Sequence, residues 1–312
     1  MTDAEEPAKD ATPPDHGPFG AAHWRDRIIA FGARAFVKPS LALPLPWWWH
    51  RAFFEAAGRL RPMVRGITRQ RITLGGRAAL IYRPARPERR LFWVHGGGFV
   101  VGSPRAYARM LSALARDMNA LVIAPSYRLA PEHPFPAGFE DVTQALTEAD
   151  DIAPELGPLI LGGDSAGGCL ILAALAPALA EGRRYPGLIL ASPATDLDTA
   201  RPVPKANDLI FPVSILRRIG RDYGGGHDPG DPRLSPVRAD FTGAPPTLIQ
   251  CAKGELLEGD SAAIAARLRE AGADVTFERW SGVPHVWHFM AGSAPVADRA
   301  IARMADFAQA LP

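Results

Sequence analysis

The groups in this chain that could do chemistry are a serine set between glycines, two histidines near the C-terminus and a row of carboxylates before them. The serine is Ser165, in Leu161-Gly162-Gly163-Asp164-Ser165-Ala166-Gly167-Gly168. Residues 157–161 before it form a short apolar run that reads as a buried strand, and residues 169–176 after it are rich in helix formers. G-x-S-x-G between strand and helix predicts a sharp elbow that exposes the serine Oγ, with the next helix aiming its N-terminus at the site. A serine hydroxyl near its ordinary pKa is a poor nucleophile. It needs a general base, a partner that orients the base, and donors for the oxyanion that forms when it attacks a carbonyl.

Such groups must be held by a rigid frame, and the flanking sequence supplies one. Strand patterns fall at 71–74, 78–83 and 91–94, with Gly75-Gly76 marking a hairpin turn between the first two. Further strands are expected at 120–124, 159–161, 188–191, 246–251 and 275–280. Helices are expected at 106–118, 139–149, 261–271 (closed by Gly272) and 297–311. This alternation predicts an α/β fold with a mostly parallel central sheet flanked by helices. Two regions depart from it. Residues 21–65 read as helices broken by Pro39, Pro44, Pro46 and Pro62, and 199–243 is rich in Pro, Gly and Asp around a helical piece at 210–223. Both are expected to form a helical cap, leaving 66–198 and 244–312 as the catalytic domain. Residues 1–20, rich in Pro, Asp, Glu and Ala, are expected to form a mobile tail. Trp47-Trp48-Trp49 cannot all face one core; packing between helix and domain is favoured over contact with a substrate. Arg59, Arg61, Arg65, Arg69 and Arg71 read as a solvated face.

A strand–elbow–helix with G-x-S-x-G is the nucleophile elbow of the α/β-hydrolase fold, whose catalytic order is Ser, acid, His. Downstream of Ser165 lie His227, His285 and His288. His285 follows the 275–280 strand in Gly282-Val283-Pro284-His285, where a base belongs; a metal pair with His288 lacks a nearby third ligand. The acid belongs after the 246–251 strand, where Glu255, Glu258 and Asp260 are candidates. Glu255 comes first and is preferred, and Asp260 is expected to cap the following helix. His95-Gly96-Gly97-Gly98-Phe99 after the 91–94 strand is an HGGG-type loop, whose backbone N–H groups at Gly97 and Gly98 would join that of Ala166 as an oxyanion hole. No G-K-[ST] follows the loop, which argues against a phosphate cradle.

Taken together, His95–Phe99 with Gly102-Ser103, the run Tyr127-Arg128-Leu129-Ala130-Pro131-Glu132-His133-Pro134-Phe135-Pro136-Ala137, Gly163–Gly168, Asp231-Pro232-Arg233-Leu234-Ser235-Pro236 and Pro284-His285-Val286 resemble the bacterial hormone-sensitive-lipase family of esterases. The resemblance spans roughly residues 65–312. It implies a serine carboxylesterase for short acyl chains, with Ser165 as nucleophile, His285 as base, a cap over the site, and no cofactor or metal. The family's usual acid is an aspartate, and here the aligned residue is Glu255. The Tyr127–Ala137 stretch, with Glu132 and His133, is expected to support the site from beneath. The same groups would serve a lactone or amide hydrolase or an acyltransferase. A non-catalytic small-molecule receptor on this fold is disfavoured, because such proteins lose a triad member. Edge-strand dimers occur in the family, which makes the last strand and helix candidates for a homodimer contact.

At 312 residues the chain has room for one large α/β domain with elaborations. Its 47% hydrophobic and 22% charged composition is that of a soluble globular protein, and a net charge of +2 gives no ground for a nucleic-acid partner. No apolar run approaches the ~18 residues of a membrane span, so stable membrane insertion is not expected. Cys169 and Cys251 lie in apolar segments, far from C-x-x-C spacing, and read as buried thiols in a reducing compartment. With an acidic start at Met1-Thr2-Asp3-Ala4-Glu5-Glu6, a cytoplasmic location is expected.

Overall fold

The computed structural model describes residues 23–198, 200 and 207–312. The tail expected at 1–20 lies outside the described residues, as does part of the 199–243 stretch. The described chain enters through α1 (Trp24–Gly32), a π segment (Ala33–Val37), α2 (Lys38–Ala42) and α3 (Trp47–Arg59). Pro39 does not break this run. It sits at the start of α2, directly after the π segment, and the backbone stays helical through Val37 and Lys38 on either side of the junction. Pro44 and Pro46 do fall in the break before α3.

The hairpin β1 (Thr68–Leu74) and β2 (Arg77–Arg83) follows, with Gly75 and Gly76 both at positive φ, 59° and 67°, as a tight two-residue turn demands. The alternating part then runs β3 (Arg89–Val94), α4 (Ala108–Asp117), β4 (Ala120–Pro125), α5 (Ala137–Ala149), β5 (Leu159–Asp164) and α6 (Ala166–Ala180). It continues with β6 (Leu188–Ala191), α7 (Val213–Gly224), β7 (Thr247–Ala252), α8 (Glu258–Glu270), β8 (Val275–Trp280) and α9 (Pro295–Ala310).

Among the described residues the strands form one sheet in the order β1-β2-β4-β3-β5-β6-β7-β8. β2 is antiparallel to β1 and β4, and every other pair is parallel. After β3 the chain goes first to β4 on one side and then to β5 on the other. The strand order therefore reverses at β3, and the crevice beyond the carboxyl ends of β3 and β5 is where such sheets bind ligands.

Both sheet faces are covered, and the central strands β4, β5, β6 and β7 are buried along their whole lengths, while the outer strand β8 mixes buried and half-buried positions. Leu91 and Trp93 of β3 pack with Leu111 and Leu114 of α4 and Ile301 and Met304 of α9. Phe92 and Val94 pack on the opposite face with Val142 of α5 and Leu170 and Ile171 of α6. α6 is apolar on all sides because it lies wholly inside this second layer until its last turn.

Two helix starts that bear on the site fall three residues ahead of the sequence expectation. α6 begins at Ala166 instead of 169, because Gly167 and Gly168 are there for close packing and do not interrupt the helix. α8 begins at Glu258 instead of 261, which places Asp260 inside the first turn. Asp260 is consequently not the cap expected of it. Its carboxylate accepts the N–H groups of Thr195 (2.8 Å) and Asp196 (3.1 Å), tying α8 to the loop after β6. No helix among the described residues is long and apolar enough to cross a membrane.

Candidate active site

Ser165 sits between the last residue of β5 and the first of α6, at φ 50° and ψ −120°. A non-glycine residue there carries strain of about 1–3 kcal/mol, sustained only because its surroundings over-determine it. They do so through backbone bonds on both sides: the Ser165 N–H donates to Ala191 O (2.9 Å), and its carbonyl accepts from Ala194 (3.1 Å). The glycines of the elbow follow from contact distances. A Cβ on Gly167 would lie 2.1 Å from the carbonyl oxygen of Val94, and one on Gly163 would lie 2.7 Å from that of Gly167. The elbow is thus pressed against the end of β3. Ala166, as the first helical residue, presents an N–H that has no intrahelical acceptor.

Asp164, a residue the sequence reading did not single out, holds the elbow to the loop after β3. Its carboxylate is fully buried and accepts from Trp93 Nε1 (3.0 Å), the Tyr107 hydroxyl (2.8 Å) and the Gly96 N–H (3.1 Å). Burial pushes its pKa up to about 6, against the pull of the donors from Tyr107 and Trp93, the nearby His285 and the Gly96 N–H.

The loop His95–Phe99 follows β3 at the strand-order reversal. Gly97 has φ 113°, and a Cβ there would fall 2.1 Å from the Val101 carbonyl oxygen. Its own carbonyl accepts from Val100 (3.1 Å) and Val101 (3.0 Å), which turns the loop tightly and leaves the N–H groups of Gly97 and Gly98 without acceptors among the described residues. Gly98 has φ 60° and lies under Ile219 of α7. His95 is a support: its ring stacks on Tyr127 (centroids 4.5 Å apart), and burial lowers its pKa to about 4 against the Gly96 carbonyl bond. The Tyr127 hydroxyl donates to the His95 carbonyl (2.9 Å), and Glu132 pairs with Arg51 of α3 (2.6 Å).

His285 follows β8 and Glu255 follows β7, and the structure brings the two together: Nδ1 of His285 lies 2.7 Å from Glu255 Oε2. The other carboxylate oxygen accepts the Ala252 N–H (3.1 Å), so the acid is held at both ends. Glu255 is 4% exposed and His285 7% exposed, which removes competing water from the pair. Burial disfavours the imidazolium, but the charge and hydrogen bond of Glu255 outweigh it, with Asp208 and Asp164 adding to them, and the His285 pKa stands above its ordinary value. Nε2 of His285 has no hydrogen-bond partner among the described residues, and Ser165 is not bonded to it; such contacts are commonly long before a substrate is bound. His288 turns away from this pair. Its Nε2 meets Gln250 Oε1 (2.7 Å), and burial, with the neighbouring His285, lowers its pKa to about 3.

A cleft enclosing about 800 Å³, open mouth included, reaches Ser165, Ala166 and Gly98. Its apolar wall is made by Phe211, Leu216, Ile219, Leu256 and Leu257. None of the three adjacent tryptophans lines it. Trp47 is buried beneath Arg218 and donates Nε1 to Asp222 (2.7 Å), Trp48 is exposed, and Trp49 stacks on Phe53 (5.7 Å). Arg61 also departs from the solvated face expected of it: it is half-buried and donates to the carbonyls of Phe289 and Ala291, just after His285. Cys169 and Cys251 are buried thiols with no disulfide partner among the described residues.

The profile of the alpha/beta hydrolase fold family matches residues 91–306. The chain is 37% identical over 235 residues to an acetyl-hydrolase of Streptomyces hygroscopicus, covering 74% of this chain and 79% of that one. It is 33% identical over 270 residues to an esterase of Acinetobacter venetianus, covering 84% and 88%. The crystal structure of an esterase from the bacterial hormone-sensitive lipase family superposes with a TM-score of 0.83 at 31% identity, over 92% of this chain and 98% of that one. By fold, by sequence and by the loops gathered at the carboxyl edge of its sheet, the chain belongs to the α/β-hydrolase family and, within it, to the bacterial hormone-sensitive-lipase family of esterases.

Proposed function

We propose that the protein is a serine carboxylesterase that hydrolyses short-chain carboxylic esters through an acyl-enzyme. The observation that carries this reading is the 2.7 Å bond between His285 and Glu255 at the same sheet edge as the strained Ser165 elbow. Ser165 Oγ attacks the ester carbonyl carbon while His285 Nε2 takes the hydroxyl proton. The negative charge then gathers on the carbonyl oxygen, facing the N–H groups of Gly97, Gly98 and Ala166. Collapse of this intermediate breaks the bond to the alkoxy oxygen, which leaves as the alcohol with the proton from His285. Water, deprotonated by His285, attacks the acyl-serine carbonyl, and the acid departs as Ser165 regains its proton. Throughout, Glu255 fixes the proton on Nδ1 and stabilises the imidazolium.

The segments 21–65 and 199–243 form the cap in this reading, and 66–198 with 244–312 the catalytic domain. Phe211, Leu216 and Ile219, which line the cleft from the second segment, support an acyl or alcohol group of limited size. The two buried thiols fit a reducing cytoplasm, and β8, an outer strand of the sheet, offers an edge for a homodimer. A panel of p-nitrophenyl esters of increasing acyl length, with one lactone, one anilide and an alcohol acceptor, tests the assignment. Turnover highest on the shortest esters is expected. Turnover confined to the lactone, the anilide or the transfer reaction would replace it.

A further inference from the structure

Asp208 lies outside the proposed triad, in the stretch that leads into α7, yet it is 3% exposed. Its Oδ1 accepts the N–H groups of Ile210 (2.8 Å) and Phe211 (2.7 Å), closing a turn ahead of Pro212 and α7. Its Oδ2 reaches across to the N–H of Leu256 (2.9 Å), the residue after Glu255. The Phe211 ring, fixed by the same carboxylate, packs on the imidazole of His285 with centroids 4.7 Å apart. One buried carboxylate therefore holds both the backbone beside the acid and the ring beside the base.

The other bonds of the acid loop do not do this. The Glu255 N–H returns to Ala252 and the Gly254 N–H to Glu258, both inside the loop, while the Lys253 N–H ties its near end to Trp280 of β8. The Leu256–Asp208 bond anchors the far side of Glu255 to a different part of the chain. We propose that Asp208 is a positioning residue for the His285–Glu255 pair, joining the acid loop to the cap wall so that Glu255 Oε2 stays on His285 Nδ1. This rests on reading the two as acid and base.

The charged groups around the pair set the sign of the expected pH effect. Asp164, the neighbour of Ser165, and Asp208 both favour the imidazolium, as Glu255 does directly. Lys38 of α2 donates to the backbone carbonyl of Asp208 (2.7 Å), Glu258 faces Arg279 (3.5 Å), and the buried His288 is held neutral. Removing the Asp208 charge lowers the His285 pKa, so the base is free at lower pH and the acid limb of kcat/KM moves down.

The test compares Asp208→Asn and Asp208→Ser with the wild-type chain. Asn removes the charge at constant size. Ser leaves an oxygen for the Ile210 and Phe211 N–H groups but is too short to reach Leu256, so it keeps the local turn and loses the tie. Active sites are titrated with a serine-directed fluorophosphonate, and p-nitrophenyl acetate hydrolysis is followed across the acid limb. Expected is a fall in kcat per titrated site of about tenfold, the scale of one lost charge-assisted hydrogen bond, together with an acid limb displaced to lower pH. A kcat within about twofold of wild type in either variant overturns the proposal. So does a lower kcat with an unmoved acid limb, which would make Asp208 a support of the fold alone. A wild-type chain that does not react with the phosphonate would instead overturn the esterase reading.

Discussion

Glu255→Gln isolates what the acid contributes, because Glu255 is held by two donors. Its Oε2 faces His285 Nδ1 at 2.7 Å and its Oε1 accepts the Ala252 N–H at 3.1 Å. A glutamine has one oxygen for these two donors. If the oxygen stays on His285, the amide NH2 is turned against the Ala252 N–H and the loop is pushed apart. If the oxygen stays on Ala252, the NH2 donates to Nδ1, and the imidazole proton moves to Nε2, the nitrogen that must accept from Ser165. Either arrangement also loses the charge that stabilises the imidazolium. Exchanging the acid of a Ser-His-acid triad for its amide costs about 10⁴ in kcat, and a partly retained tautomer brings the expectation to about 10³–10⁴, or about 4–5.5 kcal/mol of barrier. The assay is kcat for p-nitrophenyl acetate per titrated active site. The acid limb of the wild-type kcat/KM profile should lie above the ordinary histidine value of 6.5, since Glu255 outweighs burial, and should fall in the variant. A variant within about tenfold of wild type, or a larger loss in Asp260→Asn, would refute Glu255 as the acid.

Gly97→Ala should cost about 10²–10³ in kcat, because its Cβ would stand 2.1 Å from a backbone oxygen and the loop must move away from the developing oxyanion. Gly98→Ala should cost less, since the nearest contacts of its Cβ are with the Ile219 side chain, which can shift, and not with backbone; equal losses would contradict the loop geometry. Asp164, raised by burial from 3.8 to about 6, binds a proton in the folded chain over a window where the unfolded chain has released it. Wild-type stability relative to Asp164→Asn should therefore fall as pH rises through that window, at up to about 1.4 kcal/mol per unit, and level off above it. Urea midpoints of the two proteins measured side by side check this, and a wild-type midpoint that rises relative to that of the variant as pH increases would be the wrong sign.

The frame was readable because its signals are local. The run at 159–161, the glycines around Ser165 and the hairpin at Gly75-Gly76 each declare a backbone shape that their neighbours cannot contradict. The nearness of Glu255 to His285 was legible from order and from strand ends alone, although 30 residues separate them. What stayed hidden depends on contacts distant in sequence. Asp208 lies in a stretch rich in Pro, Gly and Asp with no periodicity, and its bond to Leu256 spans 48 residues. Asp164 was overlooked although it adjoins Ser165, because its importance comes from Trp93 and Tyr107 closing over it. Asp260 had the type and place of a helix cap, but the helix starts two residues earlier and the Thr195 turn takes its carboxylate. Arg61 looked like one of five surface arginines until the turn after His285 folded onto it.

The measurement that reaches the centre of the mechanism is peptide mapping after reaction with a serine-directed phosphonate. One adduct per chain is expected, on the peptide carrying Ser165, formed in step with the loss of ester hydrolysis and absent from Ser165→Ala. An adduct on another serine, or a Ser165→Ala chain that still hydrolyses p-nitrophenyl acetate at the wild-type rate, would contradict Ser165 as the nucleophile.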